Sequence, residues 1–144
     1  MHYWDTSALL KLYVTEPDSA RIRTRASATG PLMTSDAARW ELFVALQRKE
    51  TSGNLTTGTA EVFYGQFESD VTAGRIVVQT LDSAQLPRFQ SLVKHLHRHQ
   101  PPILIRTLDA LHLSAALGGQ AEEFVTTDQR QAQAAAALGL TVFS

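Results

Sequence analysis

What most constrains this chain is a rhythm. Five very short runs of mainly apolar residues, Tyr3-Trp4, Leu32-Met33-Thr34, Ile76-Val77-Val78, Phe124-Val125-Thr126 and Thr141-Val142-Phe143, are separated by longer stretches with helical spacing. Short continuous runs of this kind read as strands buried on both faces. After the first run, Leu9, Leu10, Leu12, Tyr13 and Val14 predict a helix that stops near Glu16-Pro17, because proline disfavours helical geometry in the residue before it. Pro17 suits the first turn of a second helix, through Ile22 to about Ala28, closed by Gly30-Pro31. Ser35 is a good N-cap for a helix from about Asp36 to Lys49. Ala60, Phe63, Tyr64, Phe67 and Val71 make the apolar stripe of another, which Gly74 stops. Asp82 or Ser83 caps a helix reaching the His95–His99 region, a further helix runs from about Thr107 to Leu117, and an alanine-rich one continues to Leu138. Short strands alternating with helices predict an α/β fold: one domain, 1–144, with a mostly parallel central sheet of about five strands and helices on both faces. Ligand sites in such sheets lie beyond the carboxyl ends of the strands.

Composition removes several chemistries. There is no cysteine, which excludes disulfides, thiol nucleophiles and cysteine-based zinc sites. Thirteen Lys and Arg stand against fourteen Asp and Glu, so any nucleic-acid contact must come from a local cluster rather than from overall charge. No run approaches the roughly 18 apolar residues of a membrane span, and the opening Met1-His2-Tyr3-Trp4-Asp5 has no secretory pattern. The expectation is a soluble, cytoplasmic protein.

Ten of the fourteen acids sit at caps, helix ends or polar stretches, where solvation accounts for them. Four do not. Asp5 ends the first strand after two aromatics, Glu41 interrupts Trp40-Glu41-Leu42-Phe43-Val44, Asp109 interrupts Leu108-Asp109-Ala110-Leu111, and Asp128 closes Phe124-Val125-Thr126-Thr127-Asp128. A carboxylate among apolar residues is costly unless paired, hydrogen-bonded or bound to metal. Asp5 and Asp128 fall at strand ends that share one edge of a parallel sheet, and no Lys or Arg partners for four separate pairs stand beside these acids in sequence. Taken singly, each also reads as an N-cap or a structural acceptor. Taken together, they point to a shared divalent cation, and hard oxygen donors favour Mg²⁺ or Mn²⁺.

At these residues the chain resembles the PIN-domain family of metal-dependent nucleases, and within it the short VapC-type toxins of toxin–antitoxin pairs. The resemblance rests on Tyr3-Trp4-Asp5-Thr6-Ser7-Ala8-Leu9-Leu10, on Thr34-Ser35 with Ala38-Arg39-Trp40-Glu41-Leu42, on Arg106-Thr107-Leu108-Asp109-Ala110-Leu111-His112-Leu113, and on Phe124-Val125-Thr126-Thr127-Asp128-Gln129-Arg130. Trp4 and Trp40 are bulkier than the aliphatic residues usual there. The resemblance implies a PIN-like fold and a Mg²⁺- or Mn²⁺-dependent endoribonuclease. Asp5, Glu41, Asp109 and Asp128 would hold the metal and carry catalysis, with Thr6 and Thr127 orienting a carboxylate or water; capping the helices that follow is the other role open to these threonines. It further implies an RNA substrate, neutralisation by a small antitoxin protein, and a homodimer. Arg106 and Arg130, flanking two of the acids, are the candidates for substrate contact.

Other features are weighed beside these. His95, His97 and His99 diverge at i, i+2 spacing on a helix, which favours a solvated terminus over a zinc or nickel site. His112, one turn after Asp109, is either a support for the acids or a core residue. Arg21, Arg23, Arg25, Arg39, Arg48 and Lys49 read as a solvated face before they read as phosphate contacts. A PIN nuclease of RNA processing that is not a toxin would carry the same site, and a silent PIN module that binds RNA or protein without cutting would not need to keep four costly carboxylates. A phosphate-receiving signalling domain needs an adjacent acidic pair and a late lysine. Neither is present: Asp5 stands alone and no lysine follows Lys94.

Overall fold

The computed structural model describes residues 1–144. Its elements in chain order are β1 (His2–Trp4), α1 (Thr6–Tyr13), α2 (Ser19–Ala28), β2 (Leu32–Ser35), α3 (Asp36–Thr51), α4 (Thr59–Thr72), β3 (Ile76–Gln79), α5 (Leu86–His97), α6 (Thr107–Gly118), β4 (Glu123–Val125), α7 (Gln129–Ala137) and β5 (Thr141–Phe143). The five strands form one sheet in the order β3-β2-β1-β4-β5, and every neighbouring pair is parallel. The chain steps outward from β1 to β3, then crosses back to β4 and continues to β5. Connections after β1 and β4 therefore diverge, which opens a crevice at their carboxyl ends. Asp5 and Asp128 stand just there.

Alternation along the strands divides the interior in two. Trp4, Leu32, Ile76 and Val125 point to one face, where Leu9 of α1, Ile22 of α2, Leu42 and Leu46 of α3 and Phe67 of α4 cover them. Tyr3, Met33 and Phe124 point to the other, under Leu92 and Leu96 of α5, Leu113 of α6 and Ala134 and Ala135 of α7. Tyr3 stacks on Phe124 with ring centroids 5.4 Å apart. The two-faced burial read from the strands is thus real for β1, β2 and β4.

Three local expectations need correction. The third strand is only partly buried: β3 lies at the sheet edge, so Ile76 is covered, Val78 is half-buried against the core and Val77 is 41% exposed. Ser35 occupies the N-cap position of α3 but makes no cap bond, because its hydroxyl is committed to Tyr3 Oη at 2.8 Å. Asp82 caps a single 3-10 turn, Ser83–Gln85, by accepting from the Ala84 amide, and the regular helix begins only at Leu86. The apolar stripe of α4 holds, with Phe67 buried and Phe63, Tyr64 and Val71 packed beside it.

Candidate active site

Asp5 is the buried centre of the site. One residue beyond β1, it caps α1: Oδ1 accepts from the Ala8 amide at 3.0 Å and from Ser7 Oγ at 2.7 Å. Oδ2 accepts from Thr126 Oγ1 at 2.5 Å. Thr126 follows β4, so this contact joins the ends of adjacent strands. Burial pushes the Asp5 carboxyl above its ordinary range, against the lowering influence of His112 and of these donors.

Glu41 reaches the same region from α3. Its Oε2 accepts from Thr6 Oγ1 at 2.5 Å and lies 2.6 Å from His112 Nε2. A carboxylate oxygen only accepts, so Nε2 carries the hydrogen. The other ring nitrogen, Nδ1, is 2.8 Å from Tyr3 Oη, which in turn meets Ser35. His112 is thereby held at both ends, almost without solvent exposure. Burial raises the Glu41 carboxyl, but the hydrogen bond and charge of His112, with the Thr6 hydroxyl, bring it below its usual value. Oε1 of Glu41 accepts no hydrogen bond.

Asp109 projects from the first turn of α6, and Asp128 caps α7 by accepting from the Arg130 and Gln131 amides at 2.8 and 3.2 Å. Burial raises the Asp109 carboxyl, and the nearby Asp128 charge raises it further. Gln131 lies between the two, with Nε2 3.4 Å from Asp109 Oδ1. Asp109 edges a cavity of about 210 Å³ between α6, α7 and the preceding loop, lined also by Arg106, Arg130, Gln131 and Gln133 among others. Both arginines proposed for substrate contact thus share a cleft with an acid. Unlike the expectation from its neighbours in sequence, Asp128 is exposed; only Asp5 is fully buried.

None of the four acids makes an ion pair with Lys or Arg; the imidazole of His112 is the basic group in contact with Glu41, and Arg106 acts on Asp109 only through its charge from farther away. Oδ2 of Asp109, Oδ2 of Asp128 and Oε1 of Glu41 carry no hydrogen bond, and the buried Oε1 of Gln131 has no partner. In charge and donor type this surrounding fits a hard divalent cation. It is not a preformed cage, since no three Asp, Glu or His side chains stand close enough together to enclose an ion.

A family model described as PIN domain matches residues 3–137. The chain belongs to the PIN-domain family. It is 34% identical over 144 residues to Ribonuclease VapC46 of Mycobacterium tuberculosis strain H37Rv, covering 99% of this chain and 95% of that protein. It is 32% identical over 136 residues to Ribonuclease VapC47 of Mycobacterium tuberculosis strain CDC 1551, covering 90% and 86%. Two solved structures share the fold. One is FitAB bound to an IR36 DNA fragment, with a TM-score of 0.73 and 16% identity over 99% of this chain and 94% of that one. The other is VapBC2 from Rickettsia felis bound to a promoter DNA fragment, with a TM-score of 0.67 and 16% identity over 99% and 98%.

Within this PIN domain the two threonine expectations divide. The hydroxyl of Thr6 donates to a carboxylate, that of Glu41. The side chain of Thr127 makes no hydrogen bond; only its amide is used, donating to Ser7 Oγ at 2.8 Å. Its neighbour Thr126 instead donates to Asp5, a contact that sequence reasoning missed together with those of Ser7, Tyr3 and Ser35. Three of the six early basic residues are ion-paired elsewhere: Arg25 with Glu123, Arg39 with Glu68 and Lys49 with Glu16. His95 meets the Ala137 carbonyl, His97 accepts from the Ile105 amide, and His99 meets the Pro101 carbonyl, so the three do not converge.

Proposed function

We propose that the protein is a Mg²⁺- or Mn²⁺-dependent endoribonuclease of the VapC type, acting as the toxin of a pair and silenced by a small antitoxin protein. The observation that carries this is a set of acids near the carboxyl ends of the strands that form no ion pair with Lys or Arg, in a chain whose relatives along nearly its whole length are named ribonucleases. Asp5, Glu41, Asp109 and Asp128 would hold the cation. Such an ion polarises a phosphoryl oxygen and makes hydroxide accessible near neutral pH. The chain's own part is positional. Thr6 and His112 occupy Oε2 of Glu41, leaving Oε1 to face the reacting group. Thr126 and Ser7 hold the Asp5 carboxylate still, and Arg106 and Arg130 offer donors to the RNA phosphates.

A protein partner is supported by the rim of the site. Trp40, Val44 and Leu108 are 59%, 51% and 42% exposed and line one depression with Thr6 and Glu41. An apolar rim against an acidic centre suits a partner segment that covers the former and brings a basic side chain to the latter; a homodimer is the other use of such a surface. The test is cleavage of a labelled RNA by the purified protein. Cleavage that requires Mg²⁺ or Mn²⁺ and stops with EDTA is expected; metal-independent cleavage, or none by protein freed of any partner, would reject the reading.

A further inference from the structure

The sequence places no acid between Asp82 and Asp109, yet this stretch holds Arg88, Lys94, Arg98 and Arg106 with His95, His97 and His99. None of these side chains makes an ion pair, whereas Lys11, Arg25, Arg39, Lys49 and Arg75 all do. On the solvent side of α5, Ser91, Lys94, His95, Arg98 and His99 line an open depression of about 380 Å³ without a single apolar residue. Helix α7 runs between this face and the cleft. Arg130, Gln133 and Ala137 lie at i, i+3 and i+7 on α7, hence on one side of it. Arg130 and Gln133 line the cleft, while Ala137 carries the carbonyl 3.3 Å from His95 Nε2. The two surfaces thus adjoin opposite ends of one nine-residue helix, about 13 Å long at 1.5 Å per residue.

We propose that the α5 face is a second contact surface for the phosphate backbone of the same RNA, outside the cleft. This deepens the ribonuclease reading and rests on it. Phosphates require donors and positive charge, and Lys94, Arg98 and Ser91 supply them without competing carboxylates. A protein partner would want an apolar centre, which the Trp40 rim has and this depression lacks. The RNA strand enters along α5, follows α7 past Gln133 and presents its scissile phosphate near Asp109.

The test is salt dependence of binding, read by fluorescence anisotropy of a labelled single-stranded RNA in an Asp109→Asn background that does not cut it. Each phosphate contact on a single strand contributes a slope of about 0.7 in log affinity against log salt, so adding Lys94→Gln and Arg98→Gln should flatten the slope by about 1.4. Between about 50 and about 200 mM salt, that difference is about sevenfold in affinity. An RNA shortened to fill only the cleft should bind both proteins alike. Equal slopes with the long RNA overturn the proposal, as does an equal loss with the short one. Weakened capture of an acidic protein segment with RNA binding intact would also overturn it, giving the face to a protein. Failure of the ribonuclease reading shows separately, as absent metal-dependent cleavage by the unsubstituted protein.

Discussion

Two groups of acids in this molecule have the same chemistry and opposite circumstances. On the outer side of α1, Glu16 receives Lys11 and Lys49, each at 2.6 Å, and Asp18 shares Lys11 at 2.7 Å. Hydrogen bonds from the two lysines hold the Glu16 carboxyl below its ordinary range. At the carboxyl edge of the sheet, burial drives Asp5 and Asp109 the other way, and Asp128 adds to the effect on Asp109. The first group is neutralised from within the chain and needs nothing more. The second has no Lys or Arg in ion-pairing contact, so an arriving cation or a cationic partner would relieve it, and that unmet interaction is what makes it the candidate site.

The sharpest way to break this contrast is Asp109→Asn. Cleavage should fall by at least about a hundredfold, the scale on which one preorganised electrostatic group acts, as measured by initial rates on labelled RNA. Next in size is Tyr3→Phe, which keeps the stacking on Phe124 but removes the hydroxyl that holds His112. Supports behind a metal-binding side chain act on a scale of about 10–100-fold, so kcat should drop by about tenfold while KM stays near its value. An unchanged kcat would show that His112 needs no such hold.

Stability should move in opposite senses in the two groups. Asp109 has a folded-state pKa above its unfolded one, so its ionised form opposes folding. That opposition appears as pH rises through the unfolded value and is complete above the folded one. In metal-free buffer at neutral pH, Asp109→Asn should therefore melt higher than the natural chain, and added Mg²⁺ should raise the melting temperature only of the latter. Glu16 is the reverse case: its contribution is present above its unfolded pKa and is lost as pH falls through the depressed folded one. Glu16→Gln should cost no more than about 1 kcal/mol, diminishing with salt, flatten the acid limb of a pH–stability curve, and leave cleavage untouched.

The backbone of the second group was legible in the sequence, whereas Glu16 and Asp18 of the first read as solvated and are in fact paired with Lys11 and Lys49. Short apolar strands, proline and glycine boundaries, and acids placed at strand ends or inside apolar helices are local signals. The supports of the site are not local. Tyr3 with His112, Glu41 with His112 and Asp5 with Thr126 are separated by 109, 71 and 121 residues, and hydroxyls at such distances carry no spacing pattern. Ser35 shows the same limit from the other side. Its position advertised a helix cap, but a buried phenol competed for the hydroxyl and won. Val77 looked buried because composition reports the strand and not its rank in the sheet.

One feature of Asp5 bears on how this activity could be lost over time. Its carboxylate starts α1, anchors Ser7 and ties the end of β1 to Thr126 beyond β4. In the proposed function, chemistry and architecture would share the same two oxygens, and a lineage that shed the activity by replacing Asp5 would also have to rebuild a joint in its frame. Asp109, touched only by Gln131 at 3.4 Å, carries no such duty. Decay of the enzyme should begin there, leaving an inert but well-folded descendant.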